Sequence, residues 1–245
     1  AAAITKLVNN QVLSLEDTLT DHFPELAGRI ENAEQITLRL MLQHRSGLPN
    51  FTDTPGFWVS PPKGGEETLE LVLDLPADFK PYEDYGYSNT NYLLLTEIID
   101  QVVGYQHHQV IKEEVLIPLE LNNTFSSIHE VDMKDVMSGY YVGIERDIKT
   151  TDYGSMLASA EDVGAFLRAL NDGSLFNEQE QEIYSSIYVY DHTGLVPGYQ
   201  SIAKYHHDID TVVVQFVNTT DFSDYTNWAL SEIVYNRIVK ILQKN

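Results

Sequence analysis

The 245-residue sequence contains no cysteine, and this absence excludes a disulfide framework, a thiol nucleophile and a cysteine-ligated zinc site. Basic residues are scarce, because 15 Lys and Arg face 37 Asp and Glu for a formal net charge of -22. So few cations exclude a general nucleic-acid binder and argue against docking on anionic lipid. No apolar run approaches the ~20 residues of a membrane helix. The chain is therefore expected to contain no integral membrane segment.

The residues that are present suit one large folded domain or two small ones. Hydrophobic residues make up 43% of the chain, which is enough for a core. The first residues, Ala1-Ala2-Ala3-Ile4, have high helix propensity but no N-cap before them, and they lack the features of a signal peptide. Such a beginning is typical of the middle of a helix. It predicts that further residues precede it in the intact protein.

Hydrophobic periodicity predicts helices first and strands afterwards. Helices are predicted over 1–12, 36–44, 68–75, 89–103, 105–116, 160–170 and 224–244, with a long loop over 51–65. Strands are predicted over 186–191, 199–205 and 211–218, the last two joined by a hairpin turn over 206–210. This order is typical of an α+β fold and not of a βαβ repeat. Three strands are too few to cover the apolar edges of the sheet, so we expect that its N-terminal strands are missing from this chain. The exposed edge would allow self-association.

Two short segments have residues that can carry chemistry. Tyr87-Ser88-Asn89 lies where a turn-rich loop enters the predicted helix, and a tyrosine there can face a cleft and transfer protons. The alternative is that Ser88 or Asn89 caps the helix while Tyr87 packs. His192-Thr193-Gly194 precedes Leu195 at a strand, where glycine permits close approach and N–H groups can bind an oxyanion. The alternative there is a turn with a surface histidine.

Four segments, taken together and in their order along the chain, resemble a family of serine hydrolases that are similar to penicillin-binding proteins. This family comprises class C β-lactamases, D-alanyl-D-alanine carboxypeptidases and related esterases. Residues 42–49, LQHRSGLP, look like its LLxHxSGLP segment, and residues 87–92, YSNTNY, look like YSNxxY. Residues 154–170 resemble its GLxSTAEDLAxFLxAL helix, and His192-Thr193-Gly194 resembles HxG, the counterpart of the KTG box.

The resemblance implies a β-lactamase/transpeptidase-like fold, with a helical region beside an antiparallel sheet and a C-terminal helix. It implies acyl transfer on a peptide, lactam or ester through a serine ester, with a small-molecule or peptide substrate. No cofactor and no metal are expected, and the location would be periplasmic or secreted.

The resemblance also assigns roles to individual residues. Tyr87 would assist proton transfer, and His192 would line the same cleft, so both are candidate catalytic residues. Asn89 would hydrogen-bond the acyl side chain of the substrate. The remaining candidate substrate-binding residues are Thr193, Gly194 and Leu195, and the Leu195 N–H would serve as an oxyanion donor. Because His192 replaces the lysine of KTG, a strict β-lactamase activity is less expected.

The nucleophile of this family is the serine of a Ser-x-x-Lys motif, which would lie before Ala1. Ser201-Ile202-Ala203-Lys204 fits the pattern, but in a strand positions i and i+3 point to opposite faces. Ser60-Pro61-Pro62-Lys63 fits as well, but its two prolines predict a loop. Three explanations stay open: the chain is a fragment that is inactive alone, a second polypeptide supplies the motif, or the protein is a non-catalytic binding or regulatory relative.

The predicted organisation has three parts. Residues 1–17 would be the remnant of the active-site helix and its exit, residues 18–180 a mainly helical region, and residues 181–245 the antiparallel strands with the C-terminal helix.

Overall fold

The structure, a computed structural model, describes residues 1–244. Its α-helices are α1 (Ala2–Asn9), α2 (Leu19–His22), α3 (Leu38–Leu42), α4 (Gly65–Leu69), α5 (Asn89–Val103), α6 (His107–Ile111), α7 (Ala160–Asp172), α8 (Glu178–Ser185) and α9 (Thr226–Leu242). Short 3-10 turns cover Pro24–Leu26, Phe51–Asp53 and Ile128–Glu130, and a π turn covers Lys112–Leu116. Its strands are β1 (Thr124–Phe125), β2 (Tyr140–Tyr141), β3 (Leu157–Ala158), β4 (His192–Val196), β5 (Tyr199–His206), β6 (Thr211–Val217) and β7 (Thr219–Thr220).

The chain forms two compact units. The first comprises Ala1–Val115 with Glu178–Tyr188, and the second comprises Leu116–Asn177 with the chain from Val189 onward. The first unit is helical, and the second contains every strand of the described residues. Its strands pair antiparallel except for β2 with β7, which are parallel, and this mixture of helices and small sheets confirms the predicted α+β class.

Helix α5 is the centre of the first unit and has the predicted bounds. It ends because Gly104 adopts a left-handed conformation with φ of 80°, and the Gly104 N–H donates to the Asp100 carbonyl at 2.9 Å. Its inward face joins a core that includes α1, α3 and the end of α8. The fully buried members of that core with the largest side chains are Ile4, Leu19, Ile36, Leu38, Met41, Leu42, Leu94, Leu95 and Ile98.

Helix α3 is shorter than the prediction. Thr37 caps it by accepting the Leu40 N–H at 3.3 Å, as expected near its start. The predicted span of 36–44 is too long, because the helix already stops at Leu42 and His44 turns into the left-handed region with φ of 54°. The early stop turns the following residues toward the beginning of α5, where the site described below is built.

The second unit has a three-stranded antiparallel sheet in the order β4-β5-β6, with helices on both faces. Tyr235 and Val239 of α9 pack against Ile202 and Val213, while Gly164 of α7 lies against Val214. Because neighbouring residues of a strand point to opposite faces, α7 and α9 cover opposite faces of the sheet. The β5–β6 hairpin and the closing helix confirm the prediction. Two pairs of two-residue strands, β1 with β3 and β2 with β7, complete the unit.

The strand predicted over 186–191 is wrong. Residues 178–185 form the unpredicted helix α8, and one more turn follows it, since the Ile187 and Tyr188 N–H groups both donate to the Tyr184 carbonyl at 3.0 Å. Ile187 is buried in the core of the first unit. A β-branched and aromatic composition therefore reflects burial here, and not pairing of strands.

None of the helices in residues 1–244 has the length and apolar character that crossing a membrane requires.

Candidate active site

Tyr87 lies in the last extended residues before α5 and keeps half of its side chain exposed, at 50%. Its ring stacks on the buried imidazole of His44, with 4.4 Å between the ring centroids and 29° between the planes. Tyr92 stacks on the same imidazole at 5.3 Å, and Tyr85 meets its edge at 6.2 Å. The phenol thus rests on a buried ring, so Tyr87 is more than a surface side chain.

Side-chain hydrogen bonds connect the segment after His44 to the first turn of α5. The Ser46 hydroxyl donates to the Asn91 side-chain oxygen at 2.6 Å, and the Asn91 amide in turn donates to the Ser88 carbonyl at 3.1 Å. Thr90 donates its hydroxyl to the Pro49 carbonyl at 2.6 Å. The segments 42–49 and 87–92, which the sequence analysis singled out separately, therefore form one hydrogen-bonded assembly.

Asn89 is held by residues of the loop that follows Pro49. Its backbone N–H and its side-chain amide both donate to the Asn50 side-chain oxygen, at 3.0 and 3.2 Å. Thr52 accepts a second, longer bond from the Asn89 amide at 3.5 Å. Ser88 occupies the N-cap position, as the alternative predicts, but its side chain makes no cap bond, and the Asn50 side-chain oxygen accepts the Asn89 N–H instead.

Burial raises the pKa of the Tyr87 phenol above its ordinary value, and the nearby phenols of Tyr188 and Tyr85 raise it further. The neighbouring Tyr92 has its pKa raised by burial as well, and by its hydrogen bond with Tyr188. No cation is among the groups that shift the Tyr87 pKa within the described residues. At neutral pH the phenol is thus protonated and can donate a proton before it accepts one.

His192, Thr193, Gly194 and Leu195 form the first four residues of β4, an edge strand of the sheet in the second unit. His192 is exposed, and its Nδ1 lies 2.6 Å from the Thr193 carbonyl oxygen. In the register with β5, Gly194 faces Ser201. A Cβ on Gly194 would lie 2.6 Å from the Ser201 Oγ, so glycine allows this pair of strands to approach closely.

The turn after β4 is fixed by contacts with the rest of the second unit. Gly198 has φ of 83°, and its N–H donates to the buried Thr220 hydroxyl at 2.6 Å. Tyr199 donates its hydroxyl to the Met137 carbonyl at 2.7 Å. These bonds hold the β4–β5 hairpin, and with it the His192-Thr193-Gly194 segment, at a defined register.

Neither Ser-x-x-Lys pattern within the sequence has the helical geometry that its chemistry needs. Ser201 and Lys204 lie in β5, where Lys204 pairs with Asp191 at 3.3 Å while Ser201 faces Gly194. Ser60 and Lys63 lie in an irregular segment. The predicted strand at residues 201–204 and the predicted loop at residues 60–63 are confirmed.

The predicted site residues fall into two groups. Tyr87 and Asn89 belong to the first unit, and residues 192–195 belong to the second. That the two groups face one cleft stays a prediction. Sequence reasoning missed His44 and Asn50 as site residues, because their contacts with Tyr87 and Asn89 join positions about forty residues apart, which no local pattern reveals. Among residues 1–244, no group of three or more His, Asp or Glu could hold a metal ion.

Known proteins resemble this chain in sequence and in fold. A Bacillus subtilis protein named as a penicillin-binding protein, PbpX, is 23% identical over 242 residues, covering 89% of this chain and 59% of the relative. The solved structure of a D-amino acid amidase from Ochrobactrum anthropi has a TM-score of 0.80 at 21% identity and covers all of this chain and 82% of the amidase chain. An octameric penicillin-binding protein homologue from Pyrococcus abyssi has a TM-score of 0.72 at 26% identity, covering 95% of this chain and 63% of its own.

These matches cover most of this chain but only part of each curated relative. The chain spans 59%, 39% and 30% of the length of three curated relatives. The likeness to solved structures below 25% identity establishes the β-lactamase/transpeptidase-like fold. The profile of the family described as Beta-lactamase matches residues 1–189, well over half of the sequence. This chain therefore belongs to the beta-lactamase family of penicillin-binding-protein-like proteins.

Proposed function

We propose that the whole protein to which this chain belongs is a serine hydrolase that transfers acyl groups through a serine ester. The chain would supply the phenol of Tyr87, the amide of Asn89 and the strand His192–Leu195. The serine and lysine of the Ser-x-x-Lys motif would come from residues that precede Ala1. The 245-residue chain would then be inactive alone.

One observation carries the proposal: a half-exposed phenol is held by a buried polar assembly. Tyr87 is 50% exposed, whereas Ser46 and Asn91, whose hydrogen bond connects segment 42–49 to segment 87–92, are 1% and 0% exposed. A half-exposed tyrosine that only packs has no need of such support beneath its ring. Catalytic groups do need it, because small displacements of a proton-transferring group are costly to the rate.

The chemistry would proceed in two balanced stages. The serine oxygen bonds to the substrate carbonyl carbon, its proton passes to the lysine amine, and the carbon–nitrogen or carbon–oxygen bond breaks as the leaving group takes a proton from the Tyr87 phenol. The phenol regains its proton from the lysine ammonium. Water then adds to the serine ester, which releases the acid and restores the serine hydroxyl.

The substrate would be an amide, peptide, lactam or carboxylic ester. The names of the relatives, a penicillin-binding protein and a D-amino acid amidase, favour amide bonds next to D-residues. The family resemblance also favours a location outside the cytoplasmic membrane. Self-association through the edge of the sheet stays a prediction.

The test compares the whole gene product with the 245-residue chain. Labelling by a fluorescent penicillin and turnover of nitrocefin and p-nitrophenyl esters are measured for both. The whole protein is expected to form the acyl-enzyme, while the chain alone gives background turnover, since loss of the nucleophile typically costs ~10⁴–10⁶ in kcat. Background labelling of the whole protein would instead favour a non-catalytic binding or regulatory relative. Turnover by the chain that disappears in Ser201→Ala would place the nucleophile in β5.

Variants of the whole protein test the assigned roles. Tyr87→Phe is expected to lower kcat by roughly 100-fold, and Tyr105→Phe, which removes another exposed phenol, is the matched control. Asn89→Ala is expected to raise KM and to lower the rate. His192→Ala is expected to have a smaller effect than Tyr87→Phe, because His192 is assigned to positioning the substrate.

A further inference from the structure

His44 contacts the backbone on both sides of Tyr87. Its carbonyl accepts the Gly86 N–H at 2.9 Å, and its ring Nδ1 accepts the Ser88 N–H at 3.2 Å. Between these bonds, the His44 ring stacks on the Tyr87 ring at 4.4 Å. One residue thus fixes the residue before Tyr87, the residue after it, and the plane of the Tyr87 ring.

The bond from Ser88 also determines the form of the imidazole. A backbone N–H is always a donor, so Nδ1 of His44 must carry a lone pair. The proton of the neutral ring therefore sits on Nε2. The Asn91 amide, 3.4 Å from the same Nδ1, is a second donor side chain directed at that atom. If Nδ1 were protonated, its N–H would face the Ser88 N–H, and the hydrogen bond between these two atoms would be replaced by repulsion between two donors.

His44 is itself held in place. It is 5% exposed, and its left-handed φ of 54° lets its carbonyl and its ring face the same short segment. Tyr92 stacks on its ring at 5.3 Å, so the imidazole is in contact with two phenol rings. A non-glycine residue in this backbone region carries conformational strain, which persists only where surrounding contacts determine it.

We propose that His44 is the positioning residue for the Tyr87 phenol, acting through the ring stack and through the bonds to Gly86 and Ser88. The inference rests on the proposed function, in which Tyr87 transfers protons. His44 itself does not touch the substrate. Its role is to fix the position and the orientation of the Tyr87 ring, so that the phenol transfers its proton along the same path in each turnover.

Two substitutions separate the parts of this contact. His44→Asn keeps an acceptor close to the place of Nδ1 and tolerates the left-handed backbone, but it removes the ring. His44→Phe keeps a ring for the stack but removes the acceptor. In the whole protein, each is expected to lower kcat by roughly 10- to 100-fold while KM changes less than threefold, since a displaced phenol affects the chemical step. His129→Asn, which changes an exposed histidine of the second unit, is the matched control.

A double-mutant cycle distinguishes positioning from a general effect on folding. If His44 acts through Tyr87, His44→Phe should lower kcat in the native background but have little further effect once Tyr87 is already phenylalanine. An equal loss in both backgrounds would overturn the inference, because it would mean that His44 supports the fold and not the phenol. The fraction of folded protein, measured by near-UV circular dichroism, accompanies every rate.

The outcomes separate this inference from the proposed function. If Tyr87→Phe leaves kcat unchanged, or the whole protein has no turnover, the proposed function fails and the positioning role of His44 fails with it. If Tyr87→Phe lowers kcat but both His44 variants retain the native value, only the inference about His44 fails. A nuclear Overhauser contact between the His44 and Tyr87 rings, expected in the native chain and lost in His44→Asn, tests the geometry without any activity.

Discussion

The Ser46 hydroxyl donates a 2.6 Å hydrogen bond to the side-chain oxygen of Asn91, and neither side chain is more than 1% exposed. The two residues lie 45 positions apart, one after α3 and the other in the first turn of α5. The bond therefore connects the two segments that carry most of the candidate site in the first unit. Its strength should determine how firmly Tyr87 and Asn89 are held.

Removal of this hydroxyl should destabilise the chain. Ser46→Ala leaves the Asn91 oxygen and the Leu48 N–H, which also bonds to the Ser46 oxygen at 3.2 Å, without that partner. Since a buried group that loses its partner costs about 1–3 kcal/mol, the urea midpoint should fall accordingly. Ser60→Ala changes an exposed serine and should stay within about 0.5 kcal/mol of the native chain. Equal stabilities for the two variants would contradict the structural role of the bond.

A pair of glycines separates the cost of backbone conformation from the cost of a clash. Gly47 has φ of 78° and Gly56 has φ of 82°, so an alanine would be strained at either position. A Cβ on Gly47 would lie 1.9 Å from the Phe79 carbonyl oxygen, whereas a Cβ on Gly56 meets nothing within 4 Å. Gly47→Ala should therefore lower the free energy of unfolding by about 2 kcal/mol more than Gly56→Ala. Chemical denaturation of both variants measures the difference, and similar losses would show that the Phe79 backbone yields.

Alkaline pH should destabilise the second unit through Tyr235. Burial raises the pKa of this phenol to about 12, and the charge of Asp191 adds to the effect. The unfolded chain ionises the phenol near pH 10 while the folded chain keeps the proton. Between these values the unfolded state binds fewer protons, so stability falls as pH rises from about 10 to 12. The urea midpoint measured across this range should fall less steeply in Tyr235→Phe, and an unchanged slope in that variant would contradict the assignment.

The sequence predicts the parts of this fold that local periodicity determines. Helix α5 has its predicted bounds because its apolar face and Gly104 both act within a few residues. The β5–β6 hairpin is predicted for the same reason. Helix α8 has only Ile183 and Tyr184 as apolar residues among glutamates, glutamines and serine, so its sequence gives a weak helical signal. The strand predicted over 186–191 failed because burial of Ile187 against the first unit outweighs its β propensity.

The sequence predicts which residues form the candidate site, but not the residues that hold them in place. Tyr87, Asn89 and the strand from His192 were chosen by resemblance to family motifs. Asn50, which accepts two bonds from Asn89, and His44, which holds Tyr87, depend on contacts across the fold. Chain folding alone brings such partners together, so a single sequence contains no spacing that reveals them. The division into residues 1–17, 18–180 and 181–245 stays a prediction.

The central relationship that awaits a test is that of Tyr87 to His192, which we predict to face one cleft. The absence of cysteine makes a direct experiment simple, because two introduced thiols are the only ones in the chain. Tyr87→Cys with His192→Cys, treated with a short bismaleimide at high dilution, should give an intramolecular cross-link detected by mass spectrometry of the digest. Tyr87→Cys with His129→Cys is the control, since His129 is exposed in the same unit as His192 but is not a predicted site residue.

The expected result follows from the chemistry. An acyl-transfer site needs its proton-transferring group and its oxyanion-binding strand within reach of one carbonyl group. The pair at 87 and 192 should therefore link faster than the control pair, and a substrate analogue in the whole protein should slow the reaction by occupying the space between the thiols. If this pair links no faster than the control pair, the prediction that Tyr87 and His192 face one cleft is wrong. Tyr87 and Asn89 would then be part of a polar assembly in the first unit that does not form a site together with the His192-Thr193-Gly194 strand.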